Sequence, residues 1–190
     1  MPHYYRPQRT PIKKLEAIFV GRHRLLEKIL SSLENWQPGS SRQPFLLIGP
    51  RGIGKTLLVI LLEHRIRTDP ELSRKWNTVL RPEEGYSLTR LSDILIESMN
   101  LLSNKFPDIK KNYEEIRYVD NEERVIDYCL DSFRRFHKQT GRGILLMIEN
   151  INRVLEKQIR QKQTIHHLRK MLIEEEWLNI IGTSPTYFNA

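Results

Sequence analysis

Apolar positions along this chain follow two patterns. The first is helical spacing. Leu25, Leu26, Ile29, Leu30 and Leu33 recur at three- and four-residue intervals behind Ile18-Phe19-Val20-Gly21-Arg22, which predicts a helix with one buried face. Leu88, Leu91, Ile94, Leu95, Met99 and Leu102 repeat that spacing. So do Val125, Ile126, Cys129, Leu130, Phe133 and Phe136, which follow Asn121, a residue suited to cap a helix start, and precede Gly141 and Gly143. The second pattern is the short unbroken apolar run. Phe45–Ile48 and Ile144–Ile148 are such runs, and strands that are apolar at every position are those covered on both faces of a parallel sheet. Trp76–Leu80 and Leu178–Gly182 complete a set of four predicted strands.

The polar stretches divide the chain. Residues 1–14 hold Pro2, Pro7 and Pro11 together with Arg6, Arg9, Lys13 and Lys14, a density that predicts an extended basic arm. Residues 15–190 then form one domain. Pro38-Gly39-Ser40-Ser41 is a loop leading to the first strand, and Asp69-Pro70 is a break. Residues 103–120, polar and containing Pro107, read as a surface insertion, and 153–175 as largely helical and basic. Strands alternating with helices imply an α/β fold, a parallel sheet sandwiched by helices.

One segment carries specific chemistry. Gly49-Pro50-Arg51-Gly52-Ile53-Gly54-Lys55-Thr56 fits G-x-x-x-x-G-K-[ST] without a mismatch, between the run Phe45–Ile48 and the apolar run Leu57–Leu62. Strand, glycine loop and helix is the order that phosphate binding requires. Glycines let successive N–H groups converge on one concavity. The helix behind them adds the positive end of its dipole. In this reading Lys55 reaches the β- and γ-phosphates and the Thr56 hydroxyl ligates Mg²⁺. Residues Gly49 to Leu57 are therefore the expected binding residues for ATP or ADP.

Composition narrows the setting. The 190 residues carry a formal charge of +8, which invites nucleic acid or an acidic protein surface as a partner. The apolar runs are far shorter than the roughly twenty residues needed to span a bilayer. Cys129 is the only cysteine, so no internal disulfide forms and a cytoplasmic location is expected. It sits in an apolar stripe and reads as a small core residue.

The third predicted strand ends in Glu149-Asn150. A carboxylate there can hold the water shell of Mg²⁺, and a neighbouring glutamate commonly polarises the attacking water. Here the neighbour is an amide, which orients water but cannot accept its proton. Glu149 is therefore expected to serve the metal, with capping of the following helix as the alternative.

Taken together, Phe19-Val20-Gly21-Arg22 with its leucine-spaced helix, the phosphate loop, and the Leu-Leu-Met-Ile-Glu-Asn strand end resemble the AAA+ ATPases, closest to the origin-recognition-like and STAND-type branch. The resemblance covers roughly residues 15–188. It implies that Val20, Gly21 and Arg22 lie beside the adenine. It implies that a polar residue at the tip of the last strand, Thr183 or Ser184, senses the γ-phosphate. Arg169, with Arg160 behind it, is the nearest candidate for an arginine acting on a neighbouring subunit, although a solvated basic helix face is the better explanation of both. The chain departs from the family in its Glu149-Asn150 pair, and Ala190 comes before the fifth strand and helical lid that the resemblance implies. A P-loop core lacking the lid is thus expected. Three functions follow: a nucleotide-dependent switch with slow or partner-dependent ATP hydrolysis, a non-catalytic nucleotide-binding assembly subunit, or an ATPase subunit of a DNA-loading or transposition-type complex. Each implies a protein partner or second copy completing the site.

Overall fold

The strand Gly143–Ile148, β3, is buried at every position, and so is Leu178–Ser184, β4. They are the two central strands of a parallel four-stranded sheet in a computed structural model that describes residues 10–81, 90–158 and 162–187. The other strands are β1, Phe45–Ile48, and β2, Trp76–Arg81. The order is β1-β4-β3-β2, with Phe45 opposite Ile181, Ile144 opposite Leu178, and Arg81 opposite Ile148. The unbroken apolar run of β3 has the cause inferred from sequence. Ile144, Leu146 and Ile148 enter one core, and Leu145 and Met147 the other.

One core is formed by helices α1, Ile12–Ile18, α2, His23–Glu34, α3, Lys55–Thr68, and α4, Pro70–Lys75. Helix α3 buries Leu57, Leu58, Val59, Leu61, Leu62 and Ile66, so it is apolar on several sides, as a helix enclosed by sheet and neighbours must be. The opposite core takes α5, Leu91–Ser103, α6, Pro107–Ile116, and α7, Glu122–Thr140, with residues from α8, Asn152–Gln158. Helix α9, Lys162–Arg169, runs into a π-helical turn over Lys170–Glu174 that returns the chain to β4. The Asn121 side chain accepts from the Arg124 N–H at 2.9 Å, and Gly141 closes α7 with φ 68°, the left-handed residue that helix ends favour.

Two expectations need correction, and a third gains its cause. Residues 12–14 are not part of an extended arm, because α1 begins at Ile12. Leu15 and Phe19 join the core beside α3, and that burial overrides the local density of proline and charge. Residues 1–9 of the expected arm lie outside the described residues. The segment 103–120 is not a bare surface insertion: Pro107 starts α6, which buries Ile109 and Ile116. Asp69-Pro70 is a break that immediately starts a helix, since the Asp69 carboxylate accepts from the N–H groups of Glu71 and Leu72 at 2.8 and 2.9 Å, which is N-cap chemistry.

The end of the sheet opposite the strand tips is fastened by aromatic side chains and one ion pair. Trp36 and Trp76 lie 4.5 Å apart, and the Trp76 ring N–H donates to the Leu33 carbonyl at 3.0 Å. Arg134 on α7 pairs with the nearly buried Glu175 just before β4. This leaves the carboxyl ends of the strands, where ligands bind in open parallel sheets, as the end free to carry chemistry.

Candidate functional site

Strand β1 ends at Ile48 and the chain turns through residues 49–54 into α3. Two of these residues take the left-handed backbone: Gly52 has φ 79° and Gly54 has φ 90°. The Ile53 N–H donates to the Pro50 carbonyl at 3.4 Å, and Leu58 makes the first helical bond to the Gly54 carbonyl at 3.1 Å. Left-handed residues ahead of a helix N-terminus leave backbone N–H groups turned inward, the arrangement of an anion nest. At Gly54 a side chain would be strained by the backbone and would also find its space taken, because an added Cβ would lie 2.6 Å from Nη1 of Arg22.

The Lys55 ammonium donates to the carbonyl oxygens of Gly49 and Pro50, the latter at 3.0 Å. The cation thus lies along the loop that its own helix terminates. Thr56 and Leu57 follow in the first turn, Thr56 half-buried and Leu57 buried. Arg51 and Ile53 are exposed.

The tip of β4 ties the loop to the turn after β3. The Gly49 N–H donates to the Ser184 carbonyl at 3.2 Å. One residue earlier, the Thr183 hydroxyl oxygen accepts from the Asn150 N–H at 3.1 Å, and the Thr183 carbonyl accepts from the Ile151 N–H at 3.0 Å. Thr183 and Ser184 are both buried. Since β4 lies between β1 and β3, the glycine loop and the Glu149-Asn150 turn stand two strand spacings apart, about 10 Å. Glu149 begins this turn, its N–H donating to the Arg81 carbonyl at 3.4 Å. Asn150 has φ 52° and is the non-glycine residue with positive φ among those described. Asparagine tolerates that conformation better than other side chains, which gives it a backbone role at this position whatever its amide does.

The expected residues are brought together unevenly. The loop from Gly49 to Leu57, Thr183, Ser184, Glu149 and Asn150 occupy one end of the sheet. Gly21, φ 80°, links α1 to α2, and Val20 beside it is 82 % exposed. Arg22 lies against Gly54 of the loop itself. Arg169 is exposed at the end of α9, and Arg160 lies outside the described residues. Thr56 and Glu149 offer hydroxyl and carboxylate oxygens, the donor type that suits Mg²⁺. That ion is ordinarily held by one or two protein ligands together with phosphate, not by an all-protein cage.

One residue at this end escaped the sequence reading. Arg81, at the tip of β2, is 7 % exposed, and its Nη1 has no hydrogen-bond partner among the described residues. Burial lowers its pKa from the ordinary value, while the carboxylates of Glu97 and Asp93 act in the opposite sense. The available signal was the arginine directly after the apolar stretch ending at Leu80, in phase with inward-facing Val79.

No protein-family model matches the sequence, and no curated protein does. Among solved structures, PCH-2 from C. elegans aligns with 94 % of this chain at 16 % identity and a TM-score of 0.44. The chain spans 37 % of the length of that protein's chain. A likeness this distant does not bear on what the present chain binds. Among the described residues, no helix is long and apolar enough to cross a membrane.

Proposed function

We propose that this chain is a P-loop nucleotide-binding module that takes ATP or ADP with Mg²⁺ and works as a switch with slow, partner-dependent hydrolysis. The observation that carries this reading is the loop from Gly49 to Thr56. Gly52 and Gly54 are in the left-handed backbone, α3 starts directly behind them, and Lys55 lies along the loop carbonyls. Backbone N–H groups, a helix dipole and one cation converge there, which is the combination that holds a phosphate chain. In this reading Lys55 leaves the carbonyls of Gly49 and Pro50 for the β- and γ-phosphates. Thr56 and Glu149 hold Mg²⁺, which when bound neutralises charge on the phosphates. Val20, exposed two residues before Arg22, gives an apolar surface for the base.

Slow turnover follows from the turn after β3. Asn150 stands where a general base would serve, and an amide cannot accept a proton. Thr183 uses its hydroxyl oxygen to hold the Asn150 N–H, and its own O–H remains a donor suited to a phosphate oxygen. Nucleotide at the loop would thus be coupled through Thr183 and Ser184 to the Glu149-Asn150 turn, the kind of local reordering that nucleotide switches use.

The non-catalytic assembly role remains the second reading, favoured by that same amide in its left-handed backbone. A single-turnover experiment with excess protein over ATP separates the two. Slow product formation, well below the roughly 1–10³ s⁻¹ of ordinary enzymes, is expected for the switch. Bound ATP that is never hydrolysed, with or without added partner, would leave only the assembly role.

A further inference from the structure

Arg22 stands close to the phosphate loop. The resemblance puts it at the adenine, but its guanidinium packs on the phosphate loop. Nη1 lies 2.6 Å, Cζ 3.6 Å and Nη2 3.9 Å from where a Cβ of Gly54 would stand. Gly54 is the residue immediately before Lys55 and the N-cap of α3. A glycine in that place, with φ 90°, is where backbone and a bound group come into close approach. What occupies the approach in this structure is a cation.

Arg22 is half-buried, and its side chain makes no hydrogen bond or ion pair among the described residues. Its backbone is fixed. Arg22 caps α2, and its carbonyl accepts from the N–H groups of Leu25 and Leu26 at 3.1 and 3.0 Å. Helix α2 is in turn anchored by buried Leu26, Ile29, Leu30 and Leu33. A half-buried guanidinium on a fixed stem, with five donors and no acceptor, beside a nest of N–H groups and a second cation, is complementary to an oxyanion, and an oligophosphate is the oxyanion that would engage all three together.

Resting on the nucleotide-binding reading above, we propose that Arg22 contacts the phosphate chain of the bound nucleotide from within the same chain, as a second cation beside Lys55, and does not read the base. It makes the site's affinity depend on an intact link between α2 and the loop. It also gives a chain with an amide at position 150 a strong hold on nucleotide without a matching gain in hydrolysis.

The test uses the unmodified full chain, Arg22→Ala and Arg22→Lys, titrated by calorimetry with ADP and separately with inorganic pyrophosphate, which has phosphates and no base. Far-ultraviolet circular dichroism checks that each variant is folded. Arg22→Ala is expected to weaken ADP and pyrophosphate by a similar factor, roughly tenfold or more for a lost charge-assisted bond, with Arg22→Lys intermediate for both. Loss of ADP affinity with pyrophosphate unchanged would place Arg22 at the base and overturn the proposal. Unchanged affinity for both would make Arg22 a packing residue, and tighter binding would make it a plug over the loop; either overturns it. If the unmodified chain bound neither ADP nor pyrophosphate, the nucleotide reading itself would fall, an outcome distinct from all of these.

Discussion

The hydroxyl oxygen of Thr183 accepts a hydrogen bond from the backbone N–H of Asn150 at 3.1 Å. Through it the last strand holds the turn that carries Glu149. Thr183→Val keeps the shape and removes the acceptor, leaving a part-buried N–H unsatisfied at a cost of roughly 1–3 kcal/mol. Thermal unfolding is expected to drop by several degrees, at about 2–4 °C per kcal/mol for a domain of this size. Thr183→Ser keeps the acceptor and should lose less than half as much. Equal losses in the two variants would show that the hydroxyl contributes nothing at this turn.

Asn150 with φ 52° predicts an unusual ranking of substitutions. Asn150→Gly should be neutral or stabilising, because glycine enters the left-handed region without cost. Asn150→Glu should be less stable than Asn150→Gly by about 1 kcal/mol, since a larger side chain is disfavoured there. Asn150→Glu also supplies a carboxylate, so its single-turnover hydrolysis should exceed that of the unmodified chain when a completing partner is present. Denaturant titration checks the first point and a single-turnover assay the second. An Asn150→Glu variant as stable as Asn150→Gly would contradict the strained turn.

How far the sequence revealed this molecule depends on the range of the interactions. Ile144–Ile148 was legible because two-sided burial leaves no polar position in a strand. The glycine loop was legible because its chemistry is local, with every group inside eight consecutive residues. Helix α6 was not, since its buried Ile109 and Ile116 stand seven residues apart with charge between them. Helix α1 was not, because Leu15 becomes a core residue through tertiary packing that includes α3. The approach of Arg22 to Gly54 spans more than thirty residues and depends on how α2 docks, which no local pattern encodes.

Strand β1 pairs only with β4 among the described residues. The Gly49 N–H points to Ser184, so by strand alternation Leu47 points the same way, and Leu46 and Ile48 point to the other edge. The Leu46 side chain is 42 % exposed. Hydrogen exchange on dilute protein should find Leu46 and Ile48 fast and Leu47 slow, because the outer row lacks ladder partners. A protein partner or second copy seated on this edge, an association that free edges invite, should slow the two fast amides selectively. Equal strong protection of all three in dilute protein would contradict an open edge.

Cys129 is fully buried in α7, and burial pushes its thiol up to about 12 from 9.0. The folded state favours the neutral thiol, so its contribution to stability is complete below about pH 9 and is lost as pH rises toward about 12. In native protein at pH 8 the thiol should be silent to a disulfide reagent and should react fully in urea. Above pH 9 the unmodified chain should lose stability relative to Cys129→Ala. Rapid reaction of the native thiol would show that α7 does not enclose it.

The central claim is that the loop ahead of α3 holds a nucleotide's phosphates. Calorimetric titration of the full chain with ADP and Mg²⁺, beside the same titration of Lys55→Ala, tests it most directly. Saturable one-to-one binding by the unmodified chain is expected, weakened at least tenfold in Lys55→Ala by loss of a charge-assisted contact to phosphate. Equal affinity in both proteins, or no binding by the unmodified chain, would contradict it.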